Sequence, residues 1–280
     1  MNKKVVFIGS RFNVLAKLLE MNLDVTIFSL EHCVLEKELL ERKIKYVPFS
    51  IKEKKEVIER LKKESFDILV SNGCPFILPV DEFSKNQLFF NLHPTYLPLL
   101  QGKTPMNGVF YDEHTFYGAT MHIMDAGIDT GNIIYQEKYT LTEDIDLGLL
   151  YYLSMSLEGD VFAHGWKILE SSNFLYKGKP QEGESTYFNR TEEHRNIDFL
   201  NMFTSEILKK IRSFSLSTQG ALGTIENSRY KIFEASEIKN EIILKKFSHA
   251  KAGDIVLRYD DKLLVKTVDG IIKIEKSLKI

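Results

Sequence analysis

Asn91 and His93 stand two positions apart, the first directly after Phe90 in the apolar run Leu88–Leu92, with Pro94 beyond. A second apolar run, Tyr117–Met124, leads into Asp125-Ala-Gly-Ile-Asp-Thr-Gly131, which holds two aspartates and two glycines. A histidine moves protons near neutral pH, an amide donates hydrogen bonds, and a carboxylate can orient either. Two plainer readings stay open beside this one. A strand-end histidine is commonly a structural hydrogen-bonding group, and an Asp- and Gly-rich segment suits a tight hairpin loop.

The elements that must position these residues follow from hydrophobic spacing. Val5–Ile8, Val25–Phe28, Tyr46–Phe49 and Ile68–Ser71 read as strands, and Leu88–Leu92, Tyr117–Met124 and Ile133–Tyr139 as further ones. Between them Val14, Leu15, Leu18 and Leu19, and later Val57, Ile58 and Leu61, recur at helical spacing. Strands alternating with amphipathic helices predict an α/β domain, a doubly wound, mostly parallel sheet of Rossmann-like form. In such a sheet ligands bind beyond the carboxyl ends of strands, where Asn91 and His93 fall. A long helix is expected from about Leu147 to Glu170.

Turn formers crowd Ser171–Ser185, which predicts a boundary between a catalytic domain at 1–180 and a second domain at 186–280. The second should hold one helical stretch, Phe199–Phe214, and short strands that include Ile255–Leu257 and Leu263–Val268. Punctuation by Gly220, Gly223, Gly253 and Gly270 suggests a small β-rich barrel, OB-like in kind.

Composition narrows the function classes. The chain has 280 residues, 44% hydrophobic and 27% charged, with a net charge of −2, so no global basic field favours nucleic acid. No apolar run reaches the roughly 20 residues of a membrane span, and the Met-Asn-Lys-Lys start is too short for a signal peptide, so the expected location is cytoplasmic. Cys33 and Cys74 lack disulfide or metal spacing. Gly9 is the sole glycine of the first strand-to-helix turn, which excludes the dinucleotide fingerprint. A nucleoside triphosphate loop and a Gly-x-Ser-x-Gly elbow are also absent. His114 and His122 have no metal spacing and read as surface and strand residues.

Asn91-Leu-His-Pro-Thr-Tyr-Leu-Pro98, then Gly102 and Pro105, Gly118-Ala-Thr120 and Asp125 through Gly131 together resemble the core signature of the folate-dependent formyltransferases. Thr186-Tyr-Phe-Asn-Arg-Thr, Ile197-Asp, Ile211-Arg-Ser-Phe and Gly220-Ala extend the resemblance to the carboxyl-terminal region of the methionyl-tRNA and amino-sugar branches. It implies a catalytic trio of Asn91, His93 and Asp129, and 10-formyltetrahydrofolate as co-substrate without a metal. The carrier's pterin would meet Phe76, Ile77 and Leu78, for which plain strand-end packing is the alternative, and Asp125, Gly127 and Thr130 of the acidic loop. Asn72 and Cys74-Pro75 depart from the family pattern there.

Formyl transfer needs a proton carrier, a donor for the developing oxyanion and a group to hold the imidazolium, which suit His93, Asn91 and Asp129 in turn. Gln101, Gly102 and Lys103 stand close enough to line the acceptor's entrance, although Lys103 also fits a solvated surface position. The expected acceptor is a nucleotide-linked amino sugar, of the kind used in lipopolysaccharide or other glycan synthesis. About 17 basic and 13 acidic residues over 190–280, scattered rather than clustered, disfavour a tRNA. Methionyl-tRNA formyl transfer and a catalytically silent folate or sugar binder are the alternatives. A hydrolase is disfavoured because the sequence begins directly at its first strand. A homodimer stays open, and no membrane partner is expected.

Overall fold

Alternation along the first strand explains the architecture of the amino-terminal part of the chain. β1 (Lys4–Gly9) sends Val5 and Phe7 to one face and Val6 and Ile8 to the other, and all four are buried. Such a strand needs cover on both sides. The structure, a computed structural model, describes residues 3–280, so the Met1-Asn2 start lies outside the described residues.

In chain order there follow α1 (Asn13–Glu20), β2 (Asp24–Leu30), α2 (Val34–Glu41), β3 (Val47–Phe49), α3 (Lys54–Lys63) and β4 (Ile68–Asn72). Next come β5 (Leu88–His93), α4 (Pro105–Tyr111), β6 (Phe116–Ile123), β7 (Ile133–Thr140) and α5 (Leu147–Ser171). The sheet runs β3-β2-β1-β4-β5-β6-β7, parallel through β5 and antiparallel for β6 and β7. Val14, Leu15 and Leu18 of α1 and Val161, Phe162 and Trp166 of α5 pack with Val5 and Phe7. Val57, Ile58 and Leu61 of α3 pack with Val6 and Ile8 on the other face. The helical spacing read from sequence therefore corresponds to real packing stripes.

Two compact units emerge. The first runs to Pro105 and adds Phe116–Thr140 and Tyr152–Phe188; the second comprises Met106–Thr115, Leu141–Tyr151 and Asn189–Ile280. The second contains α6 (Glu192–Arg195), β8 (Asn196–Ile197), α7 (Thr204–Ser213), β9 (Ala221–Ile225), β10 (Ser228–Glu237), α8 (Glu241–Lys246), β11 (Ile255–Tyr259), β12 (Lys262–Lys266) and β13 (Ile271–Lys279).

The expected OB-like barrel is corrected by this sheet. Its order is β11-β12-β13-β10-β9-β8, with two free ends rather than a closed ring, and β8 runs parallel to β9 while the other pairs are antiparallel. β8 has only two residues, too few to reach round and pair with β11. Ile207 and Ile211 of α7 instead cover one face, packing with Ile232, Val265 and Ile272. Among the described residues no helix is long and apolar enough to cross a membrane.

Candidate active site

Strand alternation sorts β5 into two faces. Phe90 and Leu92 enter the core beneath α1 and α5, whereas Phe89, Asn91 and His93 point the other way. Across the antiparallel ladder Asn91 pairs with His122 and His93 with Thr120, so four polar side chains share one patch of sheet. His122 is only 2% exposed. Its sequence reading as a strand residue stands, but it is no surface residue.

Asp129 arrives from the β6–β7 connection in a left-handed conformation, φ 56°, which aspartate tolerates better than most side chains. One carboxylate oxygen, Oδ2, lies 3.4 Å from His93 Nδ1 and accepts from the Gly102 amide at 3.0 Å. The other, Oδ1, accepts from Asn91 Nδ2 at 3.2 Å and lies 3.5 Å from His122 Nε2. The Gln101 and Gln181 amides donate to the Asp129 backbone carbonyl at 3.2 and 2.8 Å. Asp129 is thus held through its side chain and its backbone together.

Hydrogen bonds assign the proton positions. His93 Nε2 donates to the Leu100 carbonyl at 2.9 Å, which leaves Nδ1 as the basic nitrogen, facing Asp129. His122 Nδ1 donates to the Ile123 carbonyl at 2.8 Å, so its Nε2 accepts from Asn91 Nδ2 at 3.2 Å. Both hydrogens of the Asn91 amide are therefore engaged, one on Asp129 and one on His122.

Burial pulls the His93 imidazole below its ordinary value, although the Asp129 carboxylate and the Leu100 carbonyl favour its charged form. Burial works the other way on Asp129, but His93, His122 and the Gly102 amide outweigh it. They hold that carboxyl well below the usual carboxylate range. Near neutral pH the pair is a neutral imidazole beside a carboxylate, poised to gain one proton at Nδ1.

The turn that carries Leu100 and Gly102 is fixed from a distance. Thr186 Oγ1 accepts from the Leu100 amide at 2.8 Å, and the Gln101 amide donates to the Thr186 carbonyl at 2.8 Å. Gly102 has φ +109°, and a Cβ there would fall 2.5 Å from the Tyr187 ring. Only glycine meets both demands.

A cavity of about 430 Å³ opens over this patch. Asn91, His93, His122 and Asp129 lie in its wall, as do Gly102 and Lys103. Phe76, Ile77 and Leu78 line it, joined by Asp125 and Gly127. Thr130, exposed, and Gln101 do not line the cavity: Thr130 donates to Asp125 Oδ1 at 2.7 Å, and Gln101 acts through Asp129. Ile77 and Ile128 reach the wall while remaining 53% and 41% exposed, so the mouth offers apolar surface to a flat ligand. Cys74 is also there, but burial pushes its thiol up to about 12, which removes it as a nucleophile. Among the described residues no cluster of three or more His, Cys, Asp or Glu is placed to hold a metal.

The sequence reading names His122 and Thr186 but gives neither a place at this site, and it leaves Gln181 among the turn formers. For His122 a signal existed: His122 and Thr120 alternate on β6 as Asn91 and His93 do on β5. For Gln181 there is none, and the family-like motif that begins at Thr186 does not show which residues it meets, because both reach the site only through tertiary pairing.

Comparison with known proteins bears on this arrangement. The formyl transferase family model matches residues 32–163, and the formyl transferase C-terminal domain model matches 190–279. The methionyl-tRNA formyltransferase of Clostridium beijerinckii is 26% identical over 215 residues, 75% of this chain and 66% of that protein. Matches to three such curated relatives take in only 46–66% of their lengths. Among solved structures, the N-formyltransferase of Helicobacter canadensis, with folinic acid and dTDP-3-aminofucose, superposes with TM-score 0.71 at 20% identity, covering 99% of this chain and 100% of that one. WlaRD, a sugar 3N-formyl transferase, gives 0.72 at 22% identity over 100% and 98%.

Proposed function

Because this chain belongs to the folate-dependent formyltransferase family, we propose that it moves a formyl group from 10-formyltetrahydrofolate to the primary amine of a nucleotide-linked amino sugar. The observation that carries the reading is the basic Nδ1 of His93, set 3.4 Å from Asp129 in the wall of one cavity with Asn91.

The cavity fits the carrier's flat bicyclic ring. Phe76 and Leu78 with the exposed Ile77 and Ile128 give it apolar walls, and the turn at Asp125–Gly127 gives polar groups at the edge. Folate supplies an activated formyl carbon bound to nitrogen.

The acceptor amine must attack in its neutral form. Its nitrogen bonds to the formyl carbon, His93 Nδ1 takes the proton released, and the imidazolium rests between Asp129 and the Leu100 carbonyl. The same proton then passes to the folate nitrogen as its bond to the formyl carbon breaks. Negative charge on the formyl oxygen outcompetes the neutral His122 nitrogen for one hydrogen of the Asn91 amide, since charged acceptors bind amide hydrogens more strongly. Asn91 keeps its other hydrogen on Asp129, so the exchange leaves the carboxylate in place.

Two observations support a sugar acceptor. The likeness to WlaRD and to the Helicobacter canadensis protein extends over nearly the whole of each chain, and the net charge is −2. The curated sequence matches favour methionyl-tRNA as the second reading. Release of tetrahydrofolate, followed with a panel of nucleotide-linked amino sugars and with methionyl-tRNA, decides between them. Turnover with tRNA alone would sink the sugar reading, and silence with every amine would favour a binding protein.

A further inference from the structure

We propose that Arg11 is an anion-binding residue of this cavity, its guanidinium held by the buried Glu158 so that its free N–H groups receive a phosphoryl or carboxylate group of a bound substrate. The proposal deepens the transferase reading above and rests on it for the identity of the substrates.

The position of Arg11 is set by the sheet. In the order β3-β2-β1-β4-β5 the chain winds outward in both directions from the β1–β4 pair, so the crevice beyond those two strand ends is the switch point of the fold. Arg11 follows β1 there and Gly73 follows β4. The two backbones nearly touch: a Cβ on Gly9 would lie 1.9 Å from the Asn72 carbonyl oxygen. The Ser10 amide donates to that oxygen at 3.1 Å, and Ser10 Oγ donates to the Gly73 carbonyl at 2.8 Å. The residue that follows has little freedom to wander.

Its side chain is fixed as well. Arg11 Nη1 donates to Glu158 Oε1, from α5, and Glu158 is 0% exposed. The Asn72 carboxamide, also fully buried, lies beside that carboxylate. Stability does not explain such a pair. Burying the Glu158 carboxylate costs about what its attraction to the partly exposed Arg11 returns, and apolar residues of similar volume often do as well or better. What the pair does achieve is a guanidinium with one orientation.

That guanidinium has donors to spare. Arg11 carries five N–H groups, and its one side-chain hydrogen bond among the described residues goes to Glu158. Arg11 lies in the cavity wall with Lys54 and Lys103. Of the acidic groups there, Asp129 is held as described and Asp125 accepts through Oδ1 from the Gly127 amide and Thr130 Oγ1, and neither forms an ion pair with Arg11, Lys54 or Lys103 among the described residues. An incoming anion therefore meets open cations, and a fixed planar fork suits phosphate or carboxylate oxygens.

The nucleotide's phosphates and the folate's glutamyl carboxylates share this chemistry, and binding measurements separate them. Purified protein is titrated calorimetrically with inorganic pyrophosphate and, separately, with 5-formyltetrahydrofolate. Arg11→Met should weaken one of the two by about 10- to 100-fold, the scale of a charge-assisted hydrogen bond, and leave the other unchanged. Loss for pyrophosphate assigns the acceptor, and loss for the folate assigns the carrier. Because Arg11→Met strands a buried carboxyl and can unfold the chain, R11M/E158Q, which removes both charges, should reproduce the loss. Glu158→Gln alone should weaken binding less, and Glu158→Asp should restore part of it, as a positioning role requires. If neither ligand shows an Arg11-dependent loss, the proposal is wrong. No titration depends on turnover, so a protein inactive toward every amine could still show the loss, and an active one could lack it.

Discussion

Asn91 and His122 face each other across the β5–β6 ladder, and the single amide nitrogen of Asn91 bridges the His122 imidazole and the Asp129 carboxylate at 3.2 Å each. One side chain thereby ties both strands to the loop that delivers the acid. Replacing Asn91 with Ala should lower kcat by about 100- to 1,000-fold, the usual cost of losing one oxyanion donor. Circular dichroism on the same sample checks that the variant is folded. A folded Asn91→Ala protein with near-normal turnover would exclude the assigned role.

His122 makes no predicted contact with the transferred group, yet it is the neutral acceptor that sets the amide's direction. His122→Ala should cost less than Asn91→Ala, up to about 100-fold in rate, as expected when a reacting group is misplaced rather than removed. Single-turnover kinetics with saturating folate isolate this step. An equal or greater loss would place His122 at the chemistry itself.

The pH dependence follows from His93. Burial favours its neutral form, so kcat/KM should rise from acid and level off with a midpoint below the ordinary 6.5. In Asp129→Asn the carboxylate that favours the imidazolium is gone. The midpoint should move lower still, with a rate loss of up to about 10⁴-fold, as in other buried His–Asp pairs. A profile that falls as pH rises through this range would reverse the proton assignment.

Stability should respond to acid in two stages. His93 has a folded pKa below 6.5, so the unfolded chain takes that proton first, and the stabilisation present above 6.5 is lost as pH falls below it. Asp129 is depressed below its ordinary 3.8, so its contribution persists to lower pH and is lost as pH falls from about 4 downward. Denaturant midpoints measured between pH 7 and pH 3 should show both stages, and His93→Gln should abolish the first.

Gly102→Ala forces a side chain into φ +109° and into the Tyr187 ring. A loss of about 1–3 kcal/mol in unfolding free energy is expected, read from urea titration. Activity should fall further than stability alone explains, because the same residue's amide binds Asp129.

Local patterns made most of the first unit legible. Strand positions emerged from short apolar runs, and the strand-end rule pointed to Asn91 and His93 before any family likeness. The carboxyl-terminal sheet was harder. Short strands separated by glycines look alike whether their edges meet or stay apart, and nothing local announces that β8 runs parallel to β9. Sequence distance hid the remaining site residues. Arg11 and Glu158 are 147 positions apart, Leu100 and Thr186 are 86 apart, and neither pair has a composition or spacing that marks it. Such partners are selected by the folded surface, which periodicity does not describe.

The pairing of Thr186–Phe188 with Leu100–Gly102 bears on how the protein is made. Asn91, His93 and Asp129 leave the ribosome early, but the hydrogen bonds that hold the Leu100 and Gln101 backbone to Thr186 and Phe188 wait until the chain reaches Phe188. A nascent chain arrested near residue 180 would hold every acid–base group and lack the segment that braces the turn beside them. Translation past that point, rather than synthesis of the reactive residues, would be the moment at which the turn gains its full set of backbone partners.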